Sequence, residues 1–333
     1  MLSAVIHARG LARTFRKKKQ EVHAVTGVDL DVEAGEIVGF LGPNGAGKTT
    51  TLRMLTTLLE PTAGTATVAG CDLIADPVGV RRRIGYVSQS GSTAPEARAG
   101  EEVVDHARLY GMSTADATER GKRLFAELDL DGLWERQPKT MSGGQRRRLD
   151  IAMGLVHVPG LVFLDEPTTG LDPQARANLW THIRALREER ATTVFLTTHY
   201  LDEADALCDR ILVIDHGAIV ASGTPDELKS QVGGDVLTVT VERQDQVGEV
   251  ARLVGELRGA EAPQVVGHRV VGRVPHGGAA LVELVRGLDR AGIAVSGIES
   301  RRPSLDDVFL GLTGRSLRDT ETPASAAHEE VTV

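Results

Sequence analysis

The residues best suited to chemistry form a glycine-rich run directly behind an apolar stretch. The run reads Gly-Pro-Asn-Gly-Ala-Gly-Lys-Thr-Thr and fits the phosphate-binding pattern G-x-x-x-x-G-K-[ST]. Glycines let backbone N–H groups converge on phosphate oxygens, Lys48 reaches the terminal phosphates, and the Thr49 hydroxyl can ligate Mg²⁺. The pattern therefore predicts a nucleotide site at Gly42, Pro43, Asn44, Gly45, Ala46, Gly47, Lys48, Thr49 and Thr50.

Two adjacent carboxylates form a second candidate. The apolar run 161–164 indicates a buried strand, and it delivers Asp165 and Glu166 at its C-terminal end, where the ligands of parallel sheets gather. Asp165 is placed to hold Mg²⁺, directly or through water, and Glu166 to polarise an attacking water. His199 comes after the next buried strand, 193–197, in the same strand-then-polar order, although a lone histidine there is usually structural.

Three further signals are ambiguous when taken alone. Ser142 is a good helix N-cap, and the two glycines after it expose backbone N–H groups that suit an anion as well as an ordinary capped helix. Gln89 stands at the exit of a strand, where a polar cap is common. Phe15 precedes the basic turn 16–19, where a lone aromatic more often packs than binds.

The elements that must position these residues alternate between strands and helices. Ile37 to Leu41 reads as a buried strand before the glycine-rich run, and Thr50 to Leu59 has helical spacing behind it. This order, strand then loop then helix, is the one the phosphate-binding pattern requires. Between them and the carboxylates, 101–110 and 115–128 are charged and helically periodic, so we predict a helical subdomain over about 90–155.

The C-terminal third predicts a second, smaller domain. After Gly233-Gly234, the apolar patterns run strand, helix, hairpin, helix, strand, and the order βαββαβ is typical of a ferredoxin-like domain. We therefore predict an α/β nucleotide-binding domain over 1–232, a ferredoxin-like α+β domain over 235–314, and a polar, disordered tail over 315–333.

Composition excludes several classes of protein. The 333 residues carry 38 Lys+Arg against 46 Asp+Glu, and a net charge of -8 argues against a broad nucleic-acid-binding surface. The longest apolar runs fall far short of the ~20 residues that cross a bilayer. Because 1–10 lacks the apolar core of a signal peptide, we expect a cytoplasmic protein. Cys71 and Cys208 show no metal-binding or disulfide spacing and are predicted to be plain thiols.

Taken together, the identity, order and spacing of these motifs resemble an ATP-binding cassette (ABC) ATPase subunit up to about Leu228. The fold expected from the resemblance is a P-loop ABC ATPase cassette, with a mixed sheet core and a helical subdomain. The resemblance gives each motif a family role: the Walker A loop at Gly42 to Thr50, the Q-loop at Gln89, the signature at Ser142, Gly143, Gly144 and Gln145, the Walker B pair at Asp165 and Glu166, the D-loop at Asp172, the switch histidine at His199, and the adenine-stacking aromatic at Phe15.

Four other segments narrow the resemblance to the daunorubicin-resistance branch of drug-exporter ATPases. They are Arg81-Arg82-Arg83-Ile84, Arg146 to Ala152, Tyr200 to Asp205 and Pro303 to Phe309. Three departures stand out. That branch often carries Met where this chain has Gln145 and Gln where it has His199, and Ala94 to Gly100 lacks the usual Leu-Thr after the Q-loop.

The resemblance implies an ATP-hydrolysing subunit that uses Mg²⁺ and works only as a pair. Thr49, Gln89 and Asp165 would hold or sense Mg²⁺, Glu166 would be the general base, and His199 would contact the γ-phosphate. A second copy of the chain would supply Ser142 and Gly144 across a head-to-tail nucleotide-sandwich dimer.

A separate integral-membrane permease subunit would hold the chain peripherally at the cytoplasmic face of the cell membrane. Two rival functions stay open at this point. One is a cassette for export of lipid, polysaccharide or ions, since the transported substrate meets the membrane subunit. The other is a soluble ABC ATPase acting on ribosomes or DNA, although such proteins usually carry two cassettes or a long coiled coil.

Overall fold

The computed structural model of the chain describes residues 4–17 and 20–314. Its contacts divide the chain into two compact units, with the division between Thr224 and Pro225. The first unit contains ten strands and seven helices of the described chain. Its strands are β1 (Ala4–Lys17), β2 (Gln20–Glu33), β3 (Ile37–Leu41), β4 (Ala63–Val68), β5 (Cys71–Asp72), β6 (Ile84–Val87), β7 (Leu161–Asp165), β8 (Thr193–Thr198), β9 (Arg210–Asp215) and β10 (Ala218–Gly223). Its helices are α1 (Lys48–Leu55), α2 (Pro77–Arg83), α3 (Ala99–Leu109), α4 (Thr114–Glu127), α5 (Gly143–Leu155), α6 (Pro173–Arg190) and α7 (Leu201–Leu207).

A central six-stranded sheet, in the order β10-β9-β3-β8-β7-β6, carries the candidate site. All its neighbouring strands pair in parallel except β10 with β9. Every residue of β3, β7 and β8 is buried, as the continuous apolar runs predict for a parallel sheet covered on both faces. Parallel pairing brings the carboxyl ends of β3, β6, β7 and β8 to one edge, so the polar residues that follow these strands meet there.

The second sheet of this unit is antiparallel, in the order β2-β1-β4-β5. Buried residues of this sheet form one apolar core with α1 and the central sheet. Phe195 lies at the centre of the central sheet, with its ring centroid 5.6 Å from those of both Phe40 and Phe163. Helices α3, α4 and α5 lie within the predicted helical subdomain, where Phe125 and Trp134 pack edge to face at 4.9 Å.

The second unit has the predicted βαββαβ order. It contains α8 (Pro225–Gln231), β11 (Asp235–Val241), α9 (Val247–Gly255), β12 (Gln264–Val266), β13 (Arg269–Val274), α10 (Gly277–Ala291), β14 (Val295–Arg301) and α11 (Leu305–Thr313). The sheet order β12-β13-β11-β14 is antiparallel throughout, which is the ferredoxin-like arrangement. Both parts of the predicted fold class are therefore confirmed.

Some predicted boundaries differ from those observed. The first helix spans Lys48–Leu55 rather than 50–59, because Gly47 begins it with a φ of 105° and Thr57 follows it with a φ of 62°. Helix α8 groups with the second unit, so the division lies before the predicted limit at residue 232. The predicted tail, 315–333, and part of the basic turn lie outside the described residues. Among the described residues, none of the helices combines the length and the hydropathy that a transmembrane span requires.

The start of α11 is fixed by one carboxylate, which gives a test of the second unit. Asp307 accepts hydrogen bonds from the Ser304 amide at 2.8 Å and from Arg301 at 2.6 Å, with its side chain 12% exposed. Burial raises the pKa of Asp307, but Arg301 and Ser304 lower it more, to about 2 against an ordinary 3.8. The ionised group therefore stabilises the fold above pH 3.8, and this stabilisation is lost as the pH falls towards 2.

We expect Asp307→Asn to reduce the free energy of opening of this region by about 2 kcal/mol at neutral pH. Amide hydrogen exchange of residues 295–313 in the full chain measures that free energy directly. The matched control is Glu283→Gln on the exposed face of α10, which should leave exchange unchanged. Equal protection in the Asp307 and Glu283 variants would contradict the assigned role.

Candidate functional site

The glycine-rich loop between β3 and α1 has the geometry that its residues require. Gly45 and Gly47 have left-handed φ values of 80° and 105°, a region that residues with a Cβ adopt at a cost. A Cβ on Gly42 would lie 2.3 Å from the Ile214 carbonyl oxygen, so only glycine fits at that position. The loop therefore turns tightly into the first turn of α1, where unpaired backbone N–H groups favour a phosphate.

Lys48 lies inside this loop rather than on the surface. Its side chain is 4% exposed, and Nζ donates hydrogen bonds to the carbonyl oxygens of Gly42, at 2.8 Å, and Pro43, at 3.1 Å. The same nitrogen is 3.5 Å from Glu166 Oε1. Burial lowers the pKa of Lys48, and the nearby Glu166 carboxylate opposes that effect. The loop thus holds a cation at the edge where the parallel strands end.

Asp165 and Thr49 place oxygen atoms beside this cation. Thr49 Oγ1 donates to Asp165 Oδ1 at 3.2 Å, and Thr197 Oγ1 donates to the same oxygen at 2.6 Å. Asp165 is 1% exposed. Magnesium in nucleotide sites is held by hydroxyl and carboxylate oxygens together with substrate phosphates, so this donor set fits Mg²⁺. Within the described residues, no group of three or more His, Cys, Asp or Glu forms an all-protein metal site.

Glu166 is the point at which the predicted catalytic residues meet. Gln89 Nε2 donates to Oε2 at 2.9 Å, Thr169 Oγ1 donates to Oε2 at 3.1 Å, and His199 Nδ1 lies 3.3 Å from Oε1. Burial raises the pKa of Glu166, but His199, Lys48 and Thr169 together lower it more, so that it lies below its ordinary value. The carboxylate is therefore ionised at neutral pH and can accept a proton.

The backbone at Glu166 is itself unusual. Its φ is 43°, in the left-handed region, where a residue other than glycine is strained by roughly 1–3 kcal/mol. The amide of Glu166 donates to the Thr197 carbonyl at 3.2 Å and to Thr197 Oγ1 at 3.0 Å. These bonds to β8 hold the strained turn and direct the carboxylate towards Lys48.

The signature residues form the start of α5. Ser142 Oγ accepts the amide of Gln145 at 3.2 Å, and the Gln145 side chain accepts the Ser142 amide at 3.0 Å, which is a capping box. A Cβ on Gly144 would lie 3.3 Å from the Ala175 Cβ, in the first turn of α6. Among the described residues, hydrogen bonds and ion pairs do not join the signature to the glycine-rich loop.

Two other predicted residues have local contacts of their own. Asp172 is the N-cap of α6, with Oδ1 accepting the amide of Ala175 at 2.9 Å. Phe15 lies on β1 with 38% of its surface exposed, and the Arg13 guanidinium is 4.9 Å from its ring centroid. Hydrogen bonds and ion pairs thus join the glycine-rich loop, Asp165, Glu166, Gln89 and His199, and among the described residues none of these contacts reaches Phe15, Asp172 or the signature.

Sequence reasoning missed the side chains that hold this cluster in place. Thr197 and Thr169 hydrogen bond to the two carboxylates, yet each reads as an ordinary strand or turn residue. Arg147 is 7% exposed and donates to the backbone on both sides of Glu166. One feature of the sequence indicated that Arg147 is buried: it lies four residues before Ile151, on the apolar stripe of α5.

Comparison with known proteins agrees with this geometry. Residues 25–169 match the family described as ABC transporter, and residues 223–313 match the family described as ATP-binding protein DrrA1-3-like, C-terminal domain. The chain therefore belongs to the ATP-binding subunits of ABC transporters and is an ATP-hydrolysing enzyme. The predicted family and its drug-exporter branch are confirmed.

The sequences of several named proteins can be aligned with almost the whole chain. The daunorubicin/doxorubicin resistance ATP-binding protein DrrA of Streptomyces peucetius is 44% identical over 98% of this chain and 97% of its own. The Nod factor export ATP-binding protein I of Cupriavidus metallidurans is 37% identical over 92% of this chain and 98% of its own. The dimeric cassette MJ0796, in a post-hydrolysis state bound to ADP and Pi, is 25% identical with a TM-score of 0.61, covering 66% of this chain and 98% of its own.

Proposed function

We propose that this chain powers the export of drugs of the daunorubicin type through a separate membrane subunit. The observation that carries the enzymatic part is the convergence of Lys48, Gln89 and His199 on the single carboxylate of Glu166. The similarity to DrrA over 98% of the chain supports the drug class. A match over 223–313, beyond the cassette, supports it further.

In the proposed reaction, the oxygen of a water molecule forms a bond to the γ-phosphorus of ATP, and Glu166 accepts a proton from that water. The bond from that phosphorus to the oxygen of the ADP leaving group then breaks. Gln89, which donates to Glu166 at 2.9 Å, orients the carboxylate and the water. His199 contacts the γ-phosphate, and Lys48 exchanges its contacts with loop carbonyls for contacts with phosphate oxygens.

Thr49 and Asp165 would hold Mg²⁺, and Gln89 would sense it from the neighbouring strand end. When bound, Mg²⁺ neutralises charge on the phosphate oxygens during transfer. Phe15 has an exposed ring on which adenine could stack, worth about 1–3 kcal/mol by comparison with base–aromatic platforms.

The other half of each site is proposed to come from a second copy of this chain. Ser142, Gly143 and Gly144 lie at the exposed start of α5, where backbone N–H groups and the helix dipole favour an anion. In a head-to-tail dimer, this turn would contact the γ-phosphate bound by the partner. Gln145 would maintain the capping box of α5, and Asp172 would cap the start of the adjoining helix α6. The dimeric state of the related cassette supports this arrangement.

The membrane subunit is proposed to dock beside Gln89. An open pocket of 650 Å³ lies there, lined by the loop 89–93, by Pro138 and Lys139, and by α5. A permease helix inserted in this pocket would contact the loop that carries Gln89, so that hydrolysis and transport could be linked. The chain would then lie peripherally on the cytoplasmic face of the membrane, with no part in binding nucleic acid.

Transport in membrane vesicles tests the proposal. Inside-out vesicles containing this chain and a candidate integral-membrane subunit should accumulate daunorubicin when given Mg–ATP, whereas vesicles with the Glu166→Gln variant should not. The 37% identity to a Nod factor export protein favours one second candidate, export of an oligosaccharide or lipid. ATP-dependent uptake of such a compound without uptake of daunorubicin would contradict the drug assignment and leave the site chemistry intact.

A further inference from the structure

One buried arginine contacts the backbone around both catalytic side chains. Arg147 Nε donates to the Pro167 carbonyl at 2.8 Å, one terminal nitrogen donates to the Asp165 carbonyl at 2.9 Å, and the other donates to the Ser88 carbonyl at 2.5 Å. The residue is 7% exposed. Burying a guanidinium is costly unless its nitrogens are satisfied, and here each of the three donates to a carbonyl.

The three carbonyls that Arg147 contacts belong to residues next to Glu166 and Gln89. Asp165 and Pro167 are the residues immediately before and after Glu166, whose backbone φ of 43° is strained. Ser88 immediately precedes Gln89. Arg147 therefore fixes the chain on both sides of the proposed base and on the near side of the glutamine that donates to it. Among the described residues, no hydrogen bond or ion pair joins Arg147 to the side chain of Glu166 or of Gln89, so its contacts are with the neighbouring backbone.

A second residue of the same helix holds the far side of the glutamine. Asp150 is 5% exposed, and its Oδ1 accepts the amide of Ser92 at 2.9 Å. A Cβ on Gly91 would lie 2.9 Å from Asp150 Oδ2, so the loop passes close against this carboxylate. Both ends of the segment 88–92 are thus held by α5, and Gln89 lies between them.

We infer that Arg147 is a positioning residue that links the signature helix of each chain to that chain's own catalytic base. This inference rests on the proposed function, in which the first turn of α5 contacts ATP bound to the partner. A movement of α5 on closure over the partner's ATP is then passed through Arg147 to Glu166 and Gln89. Glu166 of a chain is thus aligned at that chain's own ATP when the signature of the same chain contacts the ATP bound to the partner.

The test compares three variants of the full chain in steady-state ATP hydrolysis. Arg147→Met keeps the apolar stem and removes the donors, and Arg147→Lys restores a charge that can reach fewer carbonyls. A misplacement of about 1 Å in a catalytic group costs about 100-fold, so we expect Arg147→Met to lower kcat by about 10- to 100-fold. KM for ATP should change by less than about threefold, and Arg147→Lys should recover part of kcat. Arg123→Met, on the exposed face of α4, is the matched control and should behave as wild type.

A double variant separates positioning from general stability. If Arg147 acts through Gln89, then Arg147→Met together with Gln89→Ala should lose less than the product of the two single losses. Full multiplication of the losses, or a folded Arg147→Met variant with wild-type kcat, would overturn the inference. If Arg147→Met does not fold, Arg147→Lys carries the same comparison, and an unchanged kcat overturns it. Glu166→Gln is measured alongside, because a fully active Glu166→Gln would refute the proposed base on which the inference rests, whereas a slow Glu166→Gln together with a fully active Arg147→Met would refute the inference alone.

Discussion

Replacing Glu166 with glutamine is expected to slow ATP hydrolysis by about 100- to 10 000-fold, the contribution that a positioned general base makes. Glutamine has nearly the same shape and still accepts hydrogen bonds from Gln89 and Thr169, but it cannot take a proton from water. ATP binding should therefore persist while turnover stops. Phosphate release measures the first effect, and titration with a fluorescent ATP analogue measures the second.

The control for this experiment is Glu189→Gln, an exposed position on α6. It should leave both binding and hydrolysis unchanged. Because the pKa of Glu166 is lowered, protonation of this carboxylate should not limit wild-type kcat between neutral pH and 4.5, its ordinary value. A Glu166→Gln variant that hydrolyses ATP at the wild-type rate would remove Glu166 from the role of base.

The second large effect is expected for Lys48→Met. A hydrogen bond to a charged group contributes about 1.5–3 kcal/mol, so losing the contacts of Lys48 with the phosphates should weaken ATP binding by roughly 10- to 150-fold. The substitution also removes a cation 3.5 Å from Glu166. Since Lys48 lowers the pKa of Glu166, that pKa should rise in the variant, and hydrolysis should require a higher pH.

Equilibrium titration with ATP across a range of pH checks both parts of this prediction. Lys122→Met removes an exposed lysine from α4 and serves as the control, with an affinity for ATP expected to equal that of wild type. ATP affinity in Lys48→Met within about twofold of wild type would show that Lys48 does not contact the phosphates.

The parts of the site that could be predicted are those whose residues lie close together in the sequence. The glycine-rich loop and the Asp165–Glu166 pair each follow an apolar run, so their place at the ends of parallel strands was predictable from local pattern alone. The C-terminal βαββαβ order was predictable for the same reason. The length of α1 could not be predicted from local pattern, because the helix ends just before Thr57, whose φ is left-handed.

The contacts of Arg147 illustrate what could not be predicted. Its three acceptors are backbone carbonyls, and any residue type supplies one, so no partner residue marks the contact in the sequence. The absence, among the described residues, of a hydrogen bond or ion pair between Ser142 and the glycine-rich loop was equally hidden, because spacing along the chain says nothing about distance across the fold. The family resemblance, rather than residue chemistry, predicted that the signature serves another copy of the chain.

The most direct test of the composite site is the molecular mass of the Glu166→Gln variant in solution, measured by sedimentation equilibrium with and without Mg–ATP. We expect the mass of one chain without nucleotide and of two chains with it. Adding Gly143→Asp should abolish the pair, because it sets a carboxylate against the partner's γ-phosphate. We expect the fold to tolerate this change, since a Cβ on Gly143 would meet its nearest atom, in Leu171, at 3.7 Å and the residue is exposed at the start of α5. A Glu166→Gln chain that binds Mg–ATP and keeps the mass of one chain would rule out an ATP site shared between two copies.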